Sequence, residues 1–218
     1  MQIRVLSLVC AGLFVVSCGT NDESLVSNVP LMVDLPTQYH PIQSRYWSCG
    51  PNSVARFFDL HRVPAKYEDV RDYAEPKVPG LNLPSLGIHL KFGSSPELIR
   101  DLVNHWVPQA SVQVLRGQGN LNALKDKISR LEPALALIQT GTQDSFLGKA
   151  PILHWVMIVG WDERKGLIKI SDPGFAKPYW ESTLSFQSRW LWSLPSGGLA
   201  SLYSQYGYQP GTLVLPTF

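Results

Sequence analysis

Residues 49–61 read CGPNSVARFFDLH, a cysteine followed at once by a segment of helical periodicity. Pro51 suits the first turn of a helix, because the amide hydrogen that proline lacks would have no partner there. Apolar residues then recur at the spacing of one helical face. They are Val54, Phe57 and Phe58, and His61 continues the same stripe. The pattern predicts a buried helix that begins at Cys49.

Cys49 is the one cysteine in the predicted folded part of the chain, since Cys10 and Cys18 belong to an N-terminal segment. A disulfide within the folded part is therefore excluded. A lone cysteine is either a small buried apolar side chain or a reactive thiol. The N-terminus of a helix stabilises negative charge and lowers the pKa of a thiol, so the position of Cys49 favours a thiolate. Such a nucleophile needs a base that holds its proton.

The N-terminal segment has the composition of an export signal. A short basic start, residues 1–4, precedes an almost wholly apolar run at 5–16, which is too short for a membrane span of about 20 residues. We therefore predict a signal peptide over residues 1–17. Residues 18–29 are polar and aperiodic, as in a tether, and residues 30–218 are predicted to form the folded domain.

The end of the signal peptide, Val15-Val16-Ser17-Cys18, resembles the lipobox of bacterial lipoproteins, in which the cysteine is diacylated and becomes the first residue after cleavage. The resemblance implies that Cys18 anchors the protein to a membrane of the bacterial cell envelope. Gly19 follows instead of aspartate, which in a Gram-negative cell favours the outer membrane, with the domain facing the periplasm. The alternative is an ordinary secreted protein in which Cys18 has no special role.

The composition argues against several classes of protein. A formal charge of +2 with scattered Lys and Arg gives no basic stripe, so we do not expect nucleic acid as a partner. The sequence has no Gly-x-x-x-x-Gly-Lys-Ser/Thr pattern for phosphate binding, so nothing in it indicates ATP-driven export. An apolar fraction of 44% is ordinary for a globular core.

Along the chain, predicted helices dominate the first half and predicted strands the second. Helical periodicity predicts helices over residues 67–74, 96–107 and 121–131. Short β-rich runs predict strands at residues 31–35, 112–115, 134–139, 155–161, 167–171 and 212–215, and residues 179–192 are aromatic and partly helical. This order predicts an α+β fold in which an N-terminal helical lobe packs on an antiparallel β-sheet.

His154 is the favoured base among five histidines. It begins the apolar run HWVMIVGWD at residues 154–162, where a polar ring needs a partner. The others lie at predicted helix ends or in predicted loops: His40, His61, His89 and His105. A lone histidine beside a core strand is more often structural than catalytic, so the role of His154 depends on its neighbours.

Asp172 is the candidate to orient His154. The strand that His154 begins returns through a turn into a second apolar strand, which is the pattern of an antiparallel hairpin. If Trp161 pairs with Leu167 across a five-residue loop, Asp172 falls on the face of His154. A loop with an even number of residues would place it on the opposite face unless a bulge intervened. The alternative role of Asp172 is to start the turn before a Pro-Gly pair.

These segments together resemble the C39-like family of papain-fold peptidases. The similarity spans about residues 32–174 and comprises, in order, Gln43, the run Cys49-Gly50-Pro51-Asn52-Ser53, the strand at 154–162 and the run Ser171-Asp172-Pro173-Gly174. The resemblance implies a papain-like cysteine peptidase fold, with the cysteine at the start of a helix that packs on the sheet.

The resemblance also implies a role for each of four residues. Cys49 would be the nucleophile, His154 its base and Asp172 the acid that orients His154. Gln43 lies six residues before the cysteine, at the position of an oxyanion donor in that family, whereas Gln38 lacks this spacing. The backbone N–H of Cys49 would be the second donor. No metal and no organic cofactor is implied.

The sequence thus predicts hydrolysis of a peptide or other amide bond, with a peptide or protein as substrate and a membrane as second partner through Cys18. A papain-fold cell-wall amidase or a transglutaminase-like acyltransferase would use the same four residues and is an alternative. A non-catalytic peptide-binding lipoprotein is the third hypothesis. Residues 179–218 contain no assignable motif, so neither substrate specificity nor oligomeric state follows from the sequence.

Overall fold

The computed structural model describes residues 30–37, 40–83, 85, 88–117, 121–145 and 148–218. The predicted signal peptide and tether, with Cys18, lie outside the described residues, as does Gln38. Among the residues that the structure describes, no helix is both long and apolar enough to cross a membrane.

Six α-helices and nine strands occur in the described part of the chain. The helices are α1 (Cys49–Leu60), α2 (Tyr67–Ala74), α3 (Pro96–Trp106), α4 (Leu121–Ser129), α5 (Thr183–Trp190) and α6 (Gly198–Gln205). The strands are β1 (Met32–Asp34), β2 (Gly80–Leu83), β3 (Ile88–Lys91), β4 (Ser111–Leu115), β5 (Ala134–Ser145), β6 (Gly148–Asp162), β7 (Leu167–Ser171), β8 (Tyr179–Ser182) and β9 (Leu213–Thr217). A 3₁₀ turn, Glu75–Lys77, extends α2.

Seven of the described strands form one antiparallel sheet. Six of them follow the order β4-β9-β5-β6-β7-β8, and β1 pairs with the end of β6. The centre of the sheet is formed by β5 and β6, whose apolar runs at residues 134–138 and 155–159 are no more than 1% exposed. Continuous apolar runs of this kind are typical of strands that are covered on both faces.

The central helix of the helical lobe is α1, which packs against β6 and against α2 and α3. Its predicted apolar stripe is confirmed, because Val54, Phe57 and Phe58 are completely buried. The hydroxyl of Ser53 donates a hydrogen bond to the backbone oxygen of Trp155 at 3.0 Å, which ties α1 to β6. The predicted α+β fold, a helical lobe on an antiparallel sheet, is confirmed.

The order of elements differs from the prediction in both halves of the chain. A two-stranded sheet of β2 and β3 lies in the first half, and α6 lies in the second, whereas α5 falls within residues 179–192, which were predicted to be partly helical. The central strands also run beyond their predicted ends, so His154 lies within β6 instead of beginning it. The residues added to β5, 140–145, are polar or glycine, so cross-strand pairing with β6 and not an apolar pattern makes them a strand.

The hairpin of β6 and β7 differs from its predicted register at the turn. The predicted pair of Trp161 with Leu167 is wrong: Trp161 pairs with Ile168, and the turn has four residues instead of five. A turn of four residues by itself would send Asp172 to the face opposite His154, because side chains alternate along a strand.

A β-bulge at Val159 restores the alignment. It places one additional residue in β6 between Ile158 and Gly160, and beyond it Met157 pairs with Ser171. This is the pairing that the predicted register implies for that end of the hairpin. The turn is one residue shorter than predicted and the bulge adds one residue to β6, so the two differences from the predicted register cancel at the His154 end of the hairpin.

Gly160 fixes the bulge where β1, β6 and β7 meet. A Cβ atom at this position would lie 2.8 Å from Lys169 Cβ and 3.0 Å from the backbone oxygen of Val33. A residue with a side chain would therefore require one of these strands to shift. The register at the His154 end is set by the packing of three strands and not by the turn.

Candidate active site

Cys49 is the first residue of α1, and 4% of its surface is exposed. The side chain of the preceding Ser48 does not cap the helix: its hydroxyl donates to the Arg45 backbone oxygen at 2.8 Å and lies 2.8 Å from Tyr67 Oη. The N–H groups of the first turn, which have no partner within a helix, are thus left without a side-chain cap. They favour negative charge at the Cys49 sulfur.

Gly50 allows the start of α1 to pack closely against Ser94, just before α3, and against the first turn of α3. A Cβ atom at this position would lie 2.6 Å from Ser94 Cβ and 2.8 Å from Ile99 Cδ1. Ser94 is held in turn by Trp155, whose indole Nε1–H donates to the Ser94 backbone oxygen at 2.7 Å. Glycine after Cys49 is therefore a packing requirement, and it fixes the thiol against β6.

The imidazole of His154 contacts the carboxyl group of Asp172, with 2.7 Å between Nε2 and Oδ1. Asp172 is 4% exposed and accepts two further hydrogen bonds. The Gly174 N–H donates to Oδ1 at 2.7 Å, and the Tyr179 hydroxyl donates to Oδ2 at 3.2 Å. Both carboxylate oxygens are thus held, and the ring of His154 is oriented with Nδ1 left for another partner.

The pKa of Asp172 is lowered in these surroundings. Burial alone raises it, but the hydrogen bond and charge of His154 outweigh burial, with smaller contributions from the Gly174 N–H and the Tyr179 hydroxyl. Asp172 is therefore a carboxylate at neutral pH, as a residue that orients and stabilises an imidazolium must be.

Cys49 and His154 interact with each other, and their pKa values move in opposite directions. Burial raises the pKa of the thiol, but the hydrogen bond and charge of His154, together with the N–H groups of Trp155 and Gly50, lower it below its usual range. Burial lowers the pKa of His154, but hydrogen bonds to Asp172 and Cys49 raise it overall. Both shifts favour a thiolate and an imidazolium.

Gln43 lies beside the turn that contains Asp172. Its backbone N–H donates to the Pro173 oxygen at 3.0 Å, one residue after Asp172. The side-chain Oε1 of Gln43 is buried and has no hydrogen-bond partner among the described residues. An unpaired buried polar atom costs about 1–3 kcal/mol, so such atoms mark sites where function and stability conflict.

The other histidines have different neighbours. Nδ1 of His40 lies 3.8 Å from Asp59 Oδ2, and the ring of His61 packs on Phe57 with 4.5 Å between centroids. His105 stacks on Tyr73 with 3.8 Å between ring centroids. These three rings have packing roles in the helical lobe, and the side chain of His89 lies outside the described part of the molecule.

A cavity of about 640 Å³ opens beside Cys49, and we call it the Cys49 cavity. Six aromatic residues line it: Tyr46, Trp47, Phe92, Tyr203, Tyr206 and Tyr208. Aliphatic side chains complete the lining, from β6 (Ile152 and Leu153) and from α6 (Leu199 and Leu202). Two smaller cavities, of about 300 and 330 Å³, are lined by none of Cys49, His154 and Asp172.

The Cys49 cavity has little free charge. Lys91 is the one charged side chain among its described lining residues, and its Nζ is paired with Glu75 Oε1 at 3.0 Å. The same ammonium lies 4.5 Å from the ring centroid of Trp47. The cavity therefore favours bulky, uncharged and apolar groups.

Among the described ranges, no cluster of three or more His, Cys, Asp or Glu side chains is arranged to hold a metal ion.

Comparisons with known proteins give a fold but no close relative. No protein-family model matches the sequence, and no curated protein matches it either. The peptidase domain of Streptococcus ComA, a bifunctional ABC transporter involved in a quorum-sensing pathway, is similar in structure, with a TM-score of 0.54 and 13% identity. The similarity covers 82% of this chain and 97% of that domain. The chain has a papain-like cysteine peptidase fold.

Xylellain, a cysteine protease from Xylella fastidiosa, aligns with this chain at a TM-score of 0.46 and 13% identity, over 90% of this chain and 89% of that one. An identity of 13% to the ComA domain shows the fold alone.

Two parts of the site in this papain-like fold were not predicted. Tyr179 donates to Asp172, and residues 199–208 form one wall of the Cys49 cavity. The sequence contains many tyrosine and tryptophan residues after residue 179. This composition does not show where the aromatic segment lies, because only the tertiary fold brings it to Cys49.

Proposed function

We propose that this chain is a C39-like cysteine peptidase that hydrolyses an amide bond of a peptide or protein. One observation supports this most strongly: a buried thiol at a helix N-terminus interacts with His154, and Nε2 of that imidazole lies 2.7 Å from Asp172 Oδ1. A nucleophile, a base and an orienting carboxylate in this order form the arrangement that acyl transfer requires.

In the proposed reaction, the Cys49 thiolate attacks the carbonyl carbon of the amide and forms a carbon–sulfur bond. The imidazolium of His154 then donates its proton to the leaving nitrogen as the carbon–nitrogen bond breaks, which releases an amine and leaves a thioester. A water molecule gives its proton to His154 and attacks the thioester. The products are a carboxylic acid and the regenerated pair of Cys49 and His154.

Gln43 is the proposed donor for the oxyanion that forms in each step, together with the backbone N–H of Cys49. Its position beside Pro173, one residue after Asp172, supports this role, in which the side-chain Nε2–H would donate to the oxyanion.

The Cys49 cavity supports a more specific substrate class. Because its walls are aromatic and aliphatic and its one lysine is already paired, we expect a peptide with a bulky, uncharged side chain next to the scissile amide. A substrate with an acidic or basic side chain at that position would lose its hydration without gaining a partner.

The test is incubation of the purified protein with a peptide library and, separately, with peptidoglycan fragments, followed by mass spectrometry. New peptide termini that are absent with Cys49→Ala would support the peptidase. Cleavage of the peptidoglycan fragments alone would replace it with a cell-wall amidase, and joining of a peptide to an added amine would indicate an acyltransferase. Absence of any product, together with an unreactive thiol, would favour a peptide-binding protein.

Lipid attachment at Cys18 and a location in the bacterial cell envelope are a further part of the proposal. They are supported by the apolar run at residues 5–16 and by the lipobox-like Val15-Val16-Ser17-Cys18. A diacylated cysteine has the two chains that stable membrane anchoring needs. Cys18→Ser should leave an unprocessed precursor, and recovery of the wild-type protein only in the soluble fraction would contradict the proposal.

A further inference from the structure

Arg56 is a charged residue inside the core of the molecule. It lies on α1, two helical turns after Cys49, and 1% of its surface is exposed. None of the ion pairs among the described residues includes it. A buried guanidinium must be compensated by hydrogen bonds, so the acceptors around Arg56 show what the residue does.

Two of these acceptors hold the segment that contains Asp172. Nη1 of Arg56 donates to Ser171 Oγ at 3.1 Å, and Nη2 donates to the Phe175 backbone oxygen at 2.9 Å. Ser171 and Phe175 lie on either side of Asp172, and the Phe175 N–H closes a turn onto the Asp172 backbone oxygen at 2.9 Å. The guanidinium thus fixes both ends of the short turn from which the carboxylate reaches His154.

The remaining acceptors belong to the other two segments of the site. Nη2 of Arg56 also donates to the Pro41 backbone oxygen at 3.1 Å, two residues before Gln43. Nε donates to Asn52 Oδ1 at 2.7 Å, and the Asn52 Nδ2 donates to the same Pro41 oxygen at 3.2 Å. One planar group therefore joins the segment of Gln43, the start of α1 and the turn of Asp172.

The positive charge of Arg56, like its hydrogen bonds, supports the carboxylate of Asp172. Burial lowers the pKa of Arg56 to about 10, against the charge of Asp172, so it stays a cation at neutral pH. The ionisable groups that interact with this cation are Asp172 and His40. The pKa of His40 is lowered mainly by burial and, to a smaller extent, by the charge of Arg56. A nearby cation helps to keep Asp172 ionised.

We propose that Arg56 is a positioning residue for the pair of His154 and Asp172. Four directed hydrogen bonds from one rigid fork fix the Asp172 turn against the helix that begins with Cys49, and this sets the distance between the thiol and the imidazole. Lysine has the charge but not the planar set of donors, so it cannot replace arginine here. The kinetic part of this inference depends on the proposed function, whereas the thiol chemistry does not.

The test compares Arg56→Lys with the wild type by three measurements: melting temperature, the rate of Cys49 alkylation by iodoacetamide against pH, and kcat and KM on a cleaved peptide. We expect alkylation near pH 6 to slow by about tenfold, since one pKa unit is a factor of ten in thiolate. The value of kcat should fall by about 10–100-fold with little change in KM, because a misplacement of about 1 Å costs this much.

Lys127→Met is the matched control for loss of a buried cation. Lys127 is 7% exposed and binds Glu132 and Thr217, none of which lies in the site. This variant should melt at a lower temperature with an unchanged alkylation profile. If Arg56→Lys behaves in the same way, Arg56 is only structural and the inference is wrong.

Ser171→Ala keeps the test decisive if Arg56→Lys does not fold. It removes one acceptor of the guanidinium and leaves the charge in place. We expect a smaller shift of the alkylation profile in the same direction, and an unshifted profile in a folded Ser171→Ala protein would overturn the inference. If the wild type cleaves no peptide, the proposed function fails, while the alkylation profiles still decide the role of Arg56.

Discussion

The surroundings of Asp172 and the wall of the Cys49 cavity are built in different ways. Around Asp172, charged and polar groups are fixed by short directed bonds, such as 2.7 Å from His154 and 2.7 Å from Gly174. The cavity wall around Tyr203 consists mostly of packed rings and aliphatic chains, with 5.7 Å between the ring centroids of Tyr203 and Tyr208. Directed bonds fix reacting atoms, whereas apolar packing sets only size and shape.

This difference predicts that substitutions in the two regions affect different kinetic constants. Changes among the directed bonds should lower kcat, because in the proposed reaction those groups stabilise the transition state. Changes in the apolar wall should raise KM, because that wall binds substrate and transition state equally.

The largest effect is expected for Cys49→Ala, which removes the proposed nucleophile and leaves the aromatic and aliphatic side chains of the cavity in place. Turnover should fall by about 10⁴-fold or more. Binding of an intact substrate peptide, measured by calorimetry, should stay within about threefold of the wild type, which is less than 1 kcal/mol. Cleavage that continues in this variant would mean that the reaction does not use the thiol.

The next largest effect is expected for Gln43→Ala. Loss of one oxyanion donor costs about 10²–10³ in kcat, with thiolate formation largely intact. The turnover, alkylation rate and melting temperature should be measured on Gln43→Ala and on the control Gln38→Ala, which lacks the required spacing. Unchanged turnover in Gln43→Ala would show that Gln43 has no catalytic role. A loss of stability alone would show that it only supports the loop before α1.

The ion pair should appear in the pH dependence of alkylation. The thiolate is present above the lowered pKa of Cys49, and its imidazolium partner is present below the raised pKa of His154. The reaction should therefore titrate with an apparent pKa below the ordinary thiol value of about 8.5. His154→Ala should slow alkylation at pH 7, because the thiol pKa rises when the hydrogen bond and charge of the imidazole are lost.

The control for this titration is His105→Ala, whose ring stacks on Tyr73 within the helical lobe. It should alkylate at the wild-type rate throughout. A wild-type thiol that titrates at the ordinary value would instead indicate a buried structural cysteine.

The smallest of these effects is expected in the cavity wall, for Leu202→Ala. Removing this side chain should raise KM about tenfold for peptides with a bulky apolar side chain and leave kcat nearly unchanged, since a few methylene groups contribute about 1–3 kcal/mol. Leu184→Ala is the control, because Leu184 lies on α5, is 79% exposed and does not line the cavity. A fall in kcat without a rise in KM would show that the wall does not bind the substrate.

The sequence predicted best what depends on local pattern. The helix that begins at Cys49, the helix at residues 67–74 and the strand at residues 167–171 have their predicted bounds, because periodicity and turn residues determine them. The pairing of His154 with Asp172 was a geometric expectation from the hairpin, and the structure places the two side chains in contact.

What the sequence could not predict depends on contacts between distant segments. The bulge at Val159 follows from the close packing of three strands at Gly160, and no local signal marks it. Arg56 looks like any polar position on an amphipathic helix until its acceptors at Ser171 and Phe175 are folded around it. The cavity wall likewise combines residues from both ends of the chain.

The close packing of three strands at Gly160 has a practical consequence for protein engineering. The four turn residues, 163–166, are all exposed, and the alignment of His154 with Asp172 is set on the far side of the bulge. An epitope or a fluorescent reporter inserted between Arg164 and Lys165 would lengthen the hairpin tip without moving the carboxylate relative to the imidazole. The turn is therefore an attachment point at which the protein can be labelled while its thiol chemistry is followed.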